Sequence, residues 1–210
     1  MAKERERRTK KRVPKQYHHG NLPAALIEAG LKLIEKKGVR ALTLREIGAR
    51  VGVSRMAAYR HFSNKGHLLA AIREAGFAQF ADFLEAARST AGQGFSSRLK
   101  AMAMAYVRFA AEHPAYFEVM FGWRDAPAGA AARSQSGARA FGILEETIRE
   151  GQQKGDVRPG DPVVLARLVW AHVHGISMLR LASDLSPDGA GTHFVELCSQ
   201  VLQIGLAPKR

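Results

Sequence analysis

The sequence predicts an all-α protein in two parts: a three-helix N-terminal head built around a helix-turn-helix, and a larger C-terminal helical body. Three observations carry this prediction. Apolar residues recur at helical spacing along most of the chain, and no segment alternates as a strand would. Between Thr43 and Phe62, capping residues and a glycine stop cut out two short helices in tandem. The charge is also lopsided. Residues 1–66 hold 17 Lys and Arg against 5 Asp and Glu, whereas residues 67–210 hold 15 against 14. Nearly all of the net +13 therefore sits in the first third of a 210-residue chain.

Residues 1–19 (MAKERERRTKKRVPKQYHH) are polar, aperiodic and basic, and read as a disordered arm. A first helix is expected from Asn21, an N-cap residue, with Pro23 tolerated in the first turn. It runs through Leu26, Leu33 and Ile34 and stops at Gly38, after Lys36 and Lys37 in its last turn.

Thr43-Leu44-Arg45-Glu46 has the form of a capping box, with Leu42 and Ile47 placed as a hydrophobic staple. That helix holds about two turns before Gly52. Ser54 caps the next one, Arg55 to Phe62, and Ser63 or Asn64 caps a long helix through Leu68, Leu69, Ile72, Phe77, Phe80 and Leu84. On a period of 3.6, Ala58 and Phe62 turn inward, while Arg55, Met56, Tyr59 and Arg60 turn outward.

Residues 89–97, rich in Gly and Ser, read as a linker, and residues 125–133 (DAPAGAAAR) as a loop. Helices are expected at about 98–112, 115–122, 135–153, 162–183 and 191–206. The segment 162–183 is apolar nearly all round, which calls for burial on more than one side. With 191–206 it would form a four-helix contact across a two-fold axis, so a homodimer is expected. The resulting division is an arm over 1–19, a head over 20–80 with its helix-turn-helix at 43–62, and a body over 81–210.

Several classes are disfavoured. No run of 18 apolar residues occurs, so no membrane-spanning helix and no membrane partner are expected. The basic N-terminus lacks a following apolar stretch, and the chain is expected to be cytoplasmic. One cysteine, Cys198, can supply neither an intramolecular disulfide nor a zinc cluster. No Gly-rich phosphate loop, nucleophile elbow or His-Glu-x-x-His run is present, so neither an enzyme, a cofactor nor a metal is expected. His172 and His174 lie about 200° apart on a helix, poor geometry for sharing an ion. Glu145, Glu146 and Glu150 read as a solvated stripe.

A basic head on a near-neutral body points to double-stranded DNA as a partner. Arg45 and Arg55 are placed to meet base edges, where an arginine reading guanine is worth roughly 1–3 kcal/mol. Lys65 suits a phosphate contact, which sets register without reading sequence. The outward phase of Tyr59 favours phosphate over core, and His61 fits a phosphate contact or plain solvated surface equally well. Arg7, Arg8 or Arg12 of the arm could enter a minor groove. A sequence-indifferent architectural protein driven by the arm is the alternative.

Residues 21–72 resemble the DNA-binding domain of the tetracycline-repressor (TetR) family. The run Leu42-Thr43-Leu44-Arg45-Glu46-Ile47-Gly48, then Gly52-Val53-Ser54, then Tyr59-Arg60-His61-Phe62-Ser63-Asn64-Lys65 carries the likeness. The resemblance implies phosphate contacts from Thr43, Tyr59 and Lys65, and base or nearby phosphate contacts from Arg45, Ser54, Arg55 and Ala57. Arg60 and His61 complete the expected surface. Ala58 departs from the larger aliphatic residue usual there, and Gly66-His67 from acidic residues; the small Ala58 is expected to loosen packing under the second helix.

Trp170-Ala171-His172-Val173-His174-Gly175, preceded by Gly155 to Pro162, resembles the Trp-His-Gly subgroup of the same family. That likeness implies an unknown small-molecule effector and, as usual family behaviour, a ligand-responsive repressor; the palindromic operator is expected from the dimer, because one two-helix reader covers too few base pairs. Phe109, Tyr116, Phe117, Met120, Phe121, Trp123, Trp170, His174 and Met178 could line the pocket, although all except His174 read better, residue by residue, as ordinary core. A buried His174 needs a partner, either a ligand or a backbone carbonyl.

Overall fold

The structure is a computed structural model and describes residues 21–122, 134–182 and 190–208. The arm, Trp123 and the stretch 125–133 lie outside the described residues, which form nine α-helices and no strand.

Local signals set the head. Helix α1 (Leu22–Lys37) starts where the Asn21 side chain accepts the Ala24 N–H at 3.3 Å, and it ends on Gly38 at φ 74°. One turn of 3₁₀ helix (Val39–Ala41) leads to α2 (Leu44–Val51), whose first turn is capped by the Thr43 hydroxyl accepting from the Glu46 N–H at 3.2 Å. Leu42 and Ile47, on either side of that cap, are both fully buried. Only half of the expected capping box forms. The Glu46 carboxylate turns instead to Arg50 at 3.0 Å and Lys37 at 3.6 Å, because two cations lie within its reach.

Gly52 takes a left-handed conformation (φ 79°, ψ 24°), and the N–H of Val53 returns to the Gly48 carbonyl at 2.9 Å. This closes α2 in a Schellman turn that a β-carbon at Gly52 would strain. Ser54 then caps α3 (Arg55–His61) by accepting the Ala57 N–H at 3.2 Å, and Asn64 caps α4 (Lys65–Thr90). Ala58 is wholly buried against α2, where a β-carbon on Gly48 would lie 3.4 Å from its own. The small residue is matched by a glycine opposite, so the expected loosening does not appear.

The body contains α5 (Phe95–Glu112), α6 (Pro114–Phe117), α7 (Gln135–Gln153), α8 (Pro162–Leu181) and α9 (Ala190–Leu206). Helix α6 continues as one wide π-helical turn, Glu118–Gly122. The linker expected at 89–97 shrinks to residues 91–94. Ser89 and Thr90 hydrogen-bond back to the Ala86 carbonyl and extend α4 by two residues.

Two apolar clusters meet along α4. Leu68, Leu69 and Ile72 join Leu26, Leu33, Leu42 and Ile47 in the head, while Phe77, Phe80 and Leu84 join α5, α7 and α8 in the body. Ala115 and Val119, from α6 and the π turn, are buried in the head cluster and stitch the two parts together. Close approach is possible there because residue 76 is glycine. A β-carbon at Gly76 would lie 2.8 Å from the Tyr116 ring and 2.9 Å from the Met120 sulfur. Arg73 donates to the Val119 carbonyl at 3.3 Å, and neighbouring Glu74 holds the start of α7.

Helix α8 has an inner face (Leu165, Ala166, Val169, Val173, Ile176) in the core and an outer face (Val164, Leu168, Met178, Leu179) exposed. Among the described residues it is the one helix long and apolar enough to span a membrane, although the chain lacks an uninterrupted apolar run. Here its inner face packs on α5 and α7.

Candidate nucleic-acid interface and effector cavity

The surface expected to meet nucleic acid is assembled by α2 and α3. Buried Ala58 and Phe62 fix the phase of α3, and that phase leaves Arg55, Met56, Tyr59, Arg60 and His61 exposed. Thr43, Arg45 and Ser54 are exposed on the adjoining helix starts, whereas Ala57 is half-buried. The structure therefore brings the nine sequence-selected residues onto one head, with Lys65 at the start of α4.

Charge on this surface is unevenly committed. Arg50 is tied to Glu46, whose carboxyl is held below its usual range chiefly by the Arg50 hydrogen bond. Arg45, Arg55 and Arg60 make no ion pair among the described residues. The Arg55 guanidinium lies over the Tyr59 ring, 5.4 Å from its centre, a cation–π contact one helical turn long. Lys65 has a role that its sequence position did not disclose. Its ammonium donates to the carbonyls of Val39 at 2.7 Å and Arg40 at 3.2 Å, fastening the start of α4 to the 3₁₀ turn after α1. An ammonium carries three donors, so one is left for a phosphate.

In the body, α4, α5, α7 and α8 enclose an apolar cavity of about 30 Å³, lined by Phe80, Leu99, Met102, Tyr106, Leu144, Trp170 and neighbouring aliphatic residues. Of the sequence-selected pocket residues that are described, only Trp170 lines it, its ring tilted against that of Phe141 with the centres 5.3 Å apart. Phe117, Phe121 and His174 form an aromatic group beside it, with His174 stacked on Phe117 at 5.5 Å. Phe109 is buried between Phe80 and Phe83. Tyr116 and Met120 pack on Gly76, and Met178 is 47% exposed on the outer face of α8, away from the cavity. A helical period marks these residues as apolar without saying which of them share a wall.

His174 is partnered by a side chain rather than by a backbone carbonyl. Its Nδ1 lies 2.9 Å from the Tyr106 hydroxyl. Burial pushes the Tyr106 phenol far above its ordinary value and the His174 imidazole below its own, so both are neutral near pH 7. Tyr106 was missed in the sequence. The i, i+4, i+7 stripe of Met102, Tyr106 and Phe109 was the available signal, and it reads as ordinary core. His172 turns elsewhere, to the Cys198 carbonyl at 3.0 Å.

The outer faces of α8 and α9 expose Val164, Leu168, Met178 and Leu179 together with Leu197, Val201 and Ile204. The spacing 197, 201, 204 repeats that of 164, 168, so each helix carries a stripe rather than scattered apolar residues.

Comparison with known proteins agrees with this architecture. The family model for bacterial regulatory proteins of the tetR family matches residues 26–72, and that for the tetracyclin repressor-like C-terminal domain matches residues 99–201. An HTH-type transcriptional regulator of Mycobacterium tuberculosis is 27% identical over 201 residues, covering 80% of this chain and 83% of that protein. A solved structure of a protein of unknown function from Rhodococcus sp. RHA1 is 33% identical and superimposes with a TM-score of 0.81, covering 92% of this chain and 99% of that one. A SmeT–triclosan complex is 25% identical, with a TM-score of 0.64, covering 88% of this chain and 91% of that one.

Proposed function

The chain belongs to the tetR family of bacterial regulatory proteins, DNA-binding regulators of transcription rather than enzymes, and from that premise we propose that it acts as a ligand-relieved repressor. In this reading a cytoplasmic homodimer occupies a palindromic operator. Thr43, Tyr59, Lys65 and His61 take phosphates, while Arg45, Ser54, Arg55, Ala57 and Arg60 face base edges or nearby phosphates. The observation that carries it is the outward face of α3: cations without an ion pair on a short helix whose inner face is locked by Ala58 and Phe62.

The homodimer is supported by the apolar stripes on α8 and α9, which would meet their own copies across a two-fold axis. One head spans too few base pairs for selective binding, and two heads read half-sites about one helical turn, or a multiple of it, apart. The effector is supported by the triclosan complex of a relative and by the aromatic group around Trp170; the cavity of about 30 Å³ beside that group has room for little more than water, so in this reading an effector enters only as the surrounding helices part. Trp170, His174 and Gly175 keep the Trp-His-Gly subgroup within the proposal. A ligand shifts the operator equilibrium only by binding the DNA-free conformation more tightly than the bound one.

Selection from random duplex DNA at about physiological salt tests the reading. An enriched palindrome supports a dimeric, sequence-specific regulator. Tight binding at low salt with no enriched sequence overturns it in favour of an architectural protein, since a specific regulator prefers its site by about 10³–10⁷.

A further inference from the structure

Two large apolar side chains are exposed in the head, Met56 at 68% and Tyr59 at 40%; all the others exposed among the described residues belong to the body. Tyr59 has a hydroxyl for water or phosphate, and its ring carries the Arg55 guanidinium. Met56 has neither. It stands at the second residue of α3, in the turn just after the Ser54 cap, and its thioether has no hydrogen-bond partner among the described residues. Arg55 is drawn along the helix toward Tyr59, so the methionine is left uncovered between the cations of the reading face.

A single exposed apolar residue on an arbitrary surface calls for no explanation. The position decides here. The N-terminal turn of a recognition helix is the part that reaches base edges. Those edges present donors, acceptors and one kind of apolar group, the 5-methyl of thymine, which 5-methylcytosine also carries. A flexible, polarisable side chain conforms well to a methyl group.

We propose that Met56 forms an apolar subsite that reads the 5-methyl group of a pyrimidine, one in each half-site. The inference rests on the regulator reading above and adds what the arginines cannot supply: discrimination at a base pair that offers a methyl group rather than an extra hydrogen bond. Because the readout is of the methyl alone, thymine and 5-methylcytosine are equivalent at that atom, and cytosine methylation at the position would raise affinity.

The test uses the full-length protein and the operator obtained by selection. Each thymine is replaced in turn by deoxyuridine, which deletes the methyl and keeps every hydrogen-bonding group. Wild type is expected to lose about fourfold in affinity for each critical methyl removed. Met56→Ala should bind the operator more weakly, keep its affinity for random DNA, and show no further loss on the same replacement. With a cytosine–guanine pair at that step, methylating the cytosine at C5 should raise the affinity of wild type about as much as thymine exceeds deoxyuridine, and leave Met56→Ala unchanged. Exposure of Met56 makes the variant safe for folding, which circular dichroism checks.

If deoxyuridine is tolerated everywhere by wild type, or costs Met56→Ala as much as wild type, the subsite assignment is wrong while the regulator reading stands. If wild type selects no sequence at all, both fall. A gain from thymine over deoxyuridine with no gain from 5-methylcytosine over cytosine overturns the claim that the methyl alone is read.

Discussion

The Glu74 carboxylate accepts the Ser134 hydroxyl at 2.6 Å, joining the middle of α4 to the first turn of α7. The same carboxylate takes the Ser136 N–H at 2.9 Å, while Ser134 itself caps α7 by accepting from Gly137. Glu74→Ala therefore uncaps one helix by changing another. Its cost is expected at about 1–3 kcal/mol, visible as a lower urea midpoint with an unchanged slope. Glu74→Gln, which keeps an acceptor, should lose less. Equal losses in the two variants would mean that the hydrogen bonds are not what the carboxylate contributes.

Acid should weaken the body through two groups. Burial pushes Glu74 up, but the hydrogen bonds from Ser134 and Ser136 outweigh it and leave the carboxyl below its ordinary 4.5. Its contribution is thus complete above the unfolded value and is lost as pH falls through the folded one. Burial also holds the His174 imidazole below 6.5. The unfolded chain takes up that proton first, so stability is complete above pH 6.5 and declines below it. Melting temperatures from pH 7.5 down to about 5.5 check the histidine: His174→Gln should show a shallower decline than wild type. A decline as steep in the variant would exclude His174 as its source.

Phosphate and base contacts should separate by sequence dependence. Tyr59→Ala is expected to weaken all duplexes alike, and Arg45→Ala to relax preference at one position per half-site. A uniform loss for Arg45→Ala would make it a phosphate contact. Lys65→Ala should both reduce the salt dependence by about one unit of slope and lower stability, because its carbonyl partners Val39 and Arg40 lose their donor. Lys65→Ala with unaltered melting would show that those bonds are not maintained in solution.

A charge on the outer stripe should divide the dimer. Ile204→Glu and Leu168→Glu alter exposed side chains, so the monomer fold is expected to survive with its helicity intact. Sedimentation should then report a single chain, with operator affinity falling toward that of an isolated half-site. Sedimentation of wild type as a monomer at the same concentration would overturn the homodimer.

The head was legible because its signals are local. Asn21, Thr43, Ser54 and Asn64 each precede a helix by one residue, and each side chain accepts a backbone N–H within the next turn. Ala58 and Phe62 likewise fall inward on a period that seven residues suffice to set. The body resisted the same reading. Its cavity is walled by residues from four helices, and spacing along one helix cannot say which neighbours close a wall. Lys65 shows the limit at a single side chain: its carbonyl partners lie 25 and 26 positions away, beyond any local pattern. The linker failed for the opposite reason, since Ser89 and Thr90 bond back to their own helix rather than breaking it.

At 26 residues, α4 is about 39 Å long, one unbroken rod rooted among the aromatic rings of the body and fastened at its far end by Lys65. Rods convert angle into distance. A tilt of about 5° about the body end carries the other end through roughly 3 Å, near the ~3.4 Å rise of the duplex per base pair along its axis. In a symmetric pair the displacements oppose each other and double. In the proposed homodimer, a change in the body too slight to disturb its packing would thereby put two reading heads out of step with the duplex by more than a base pair.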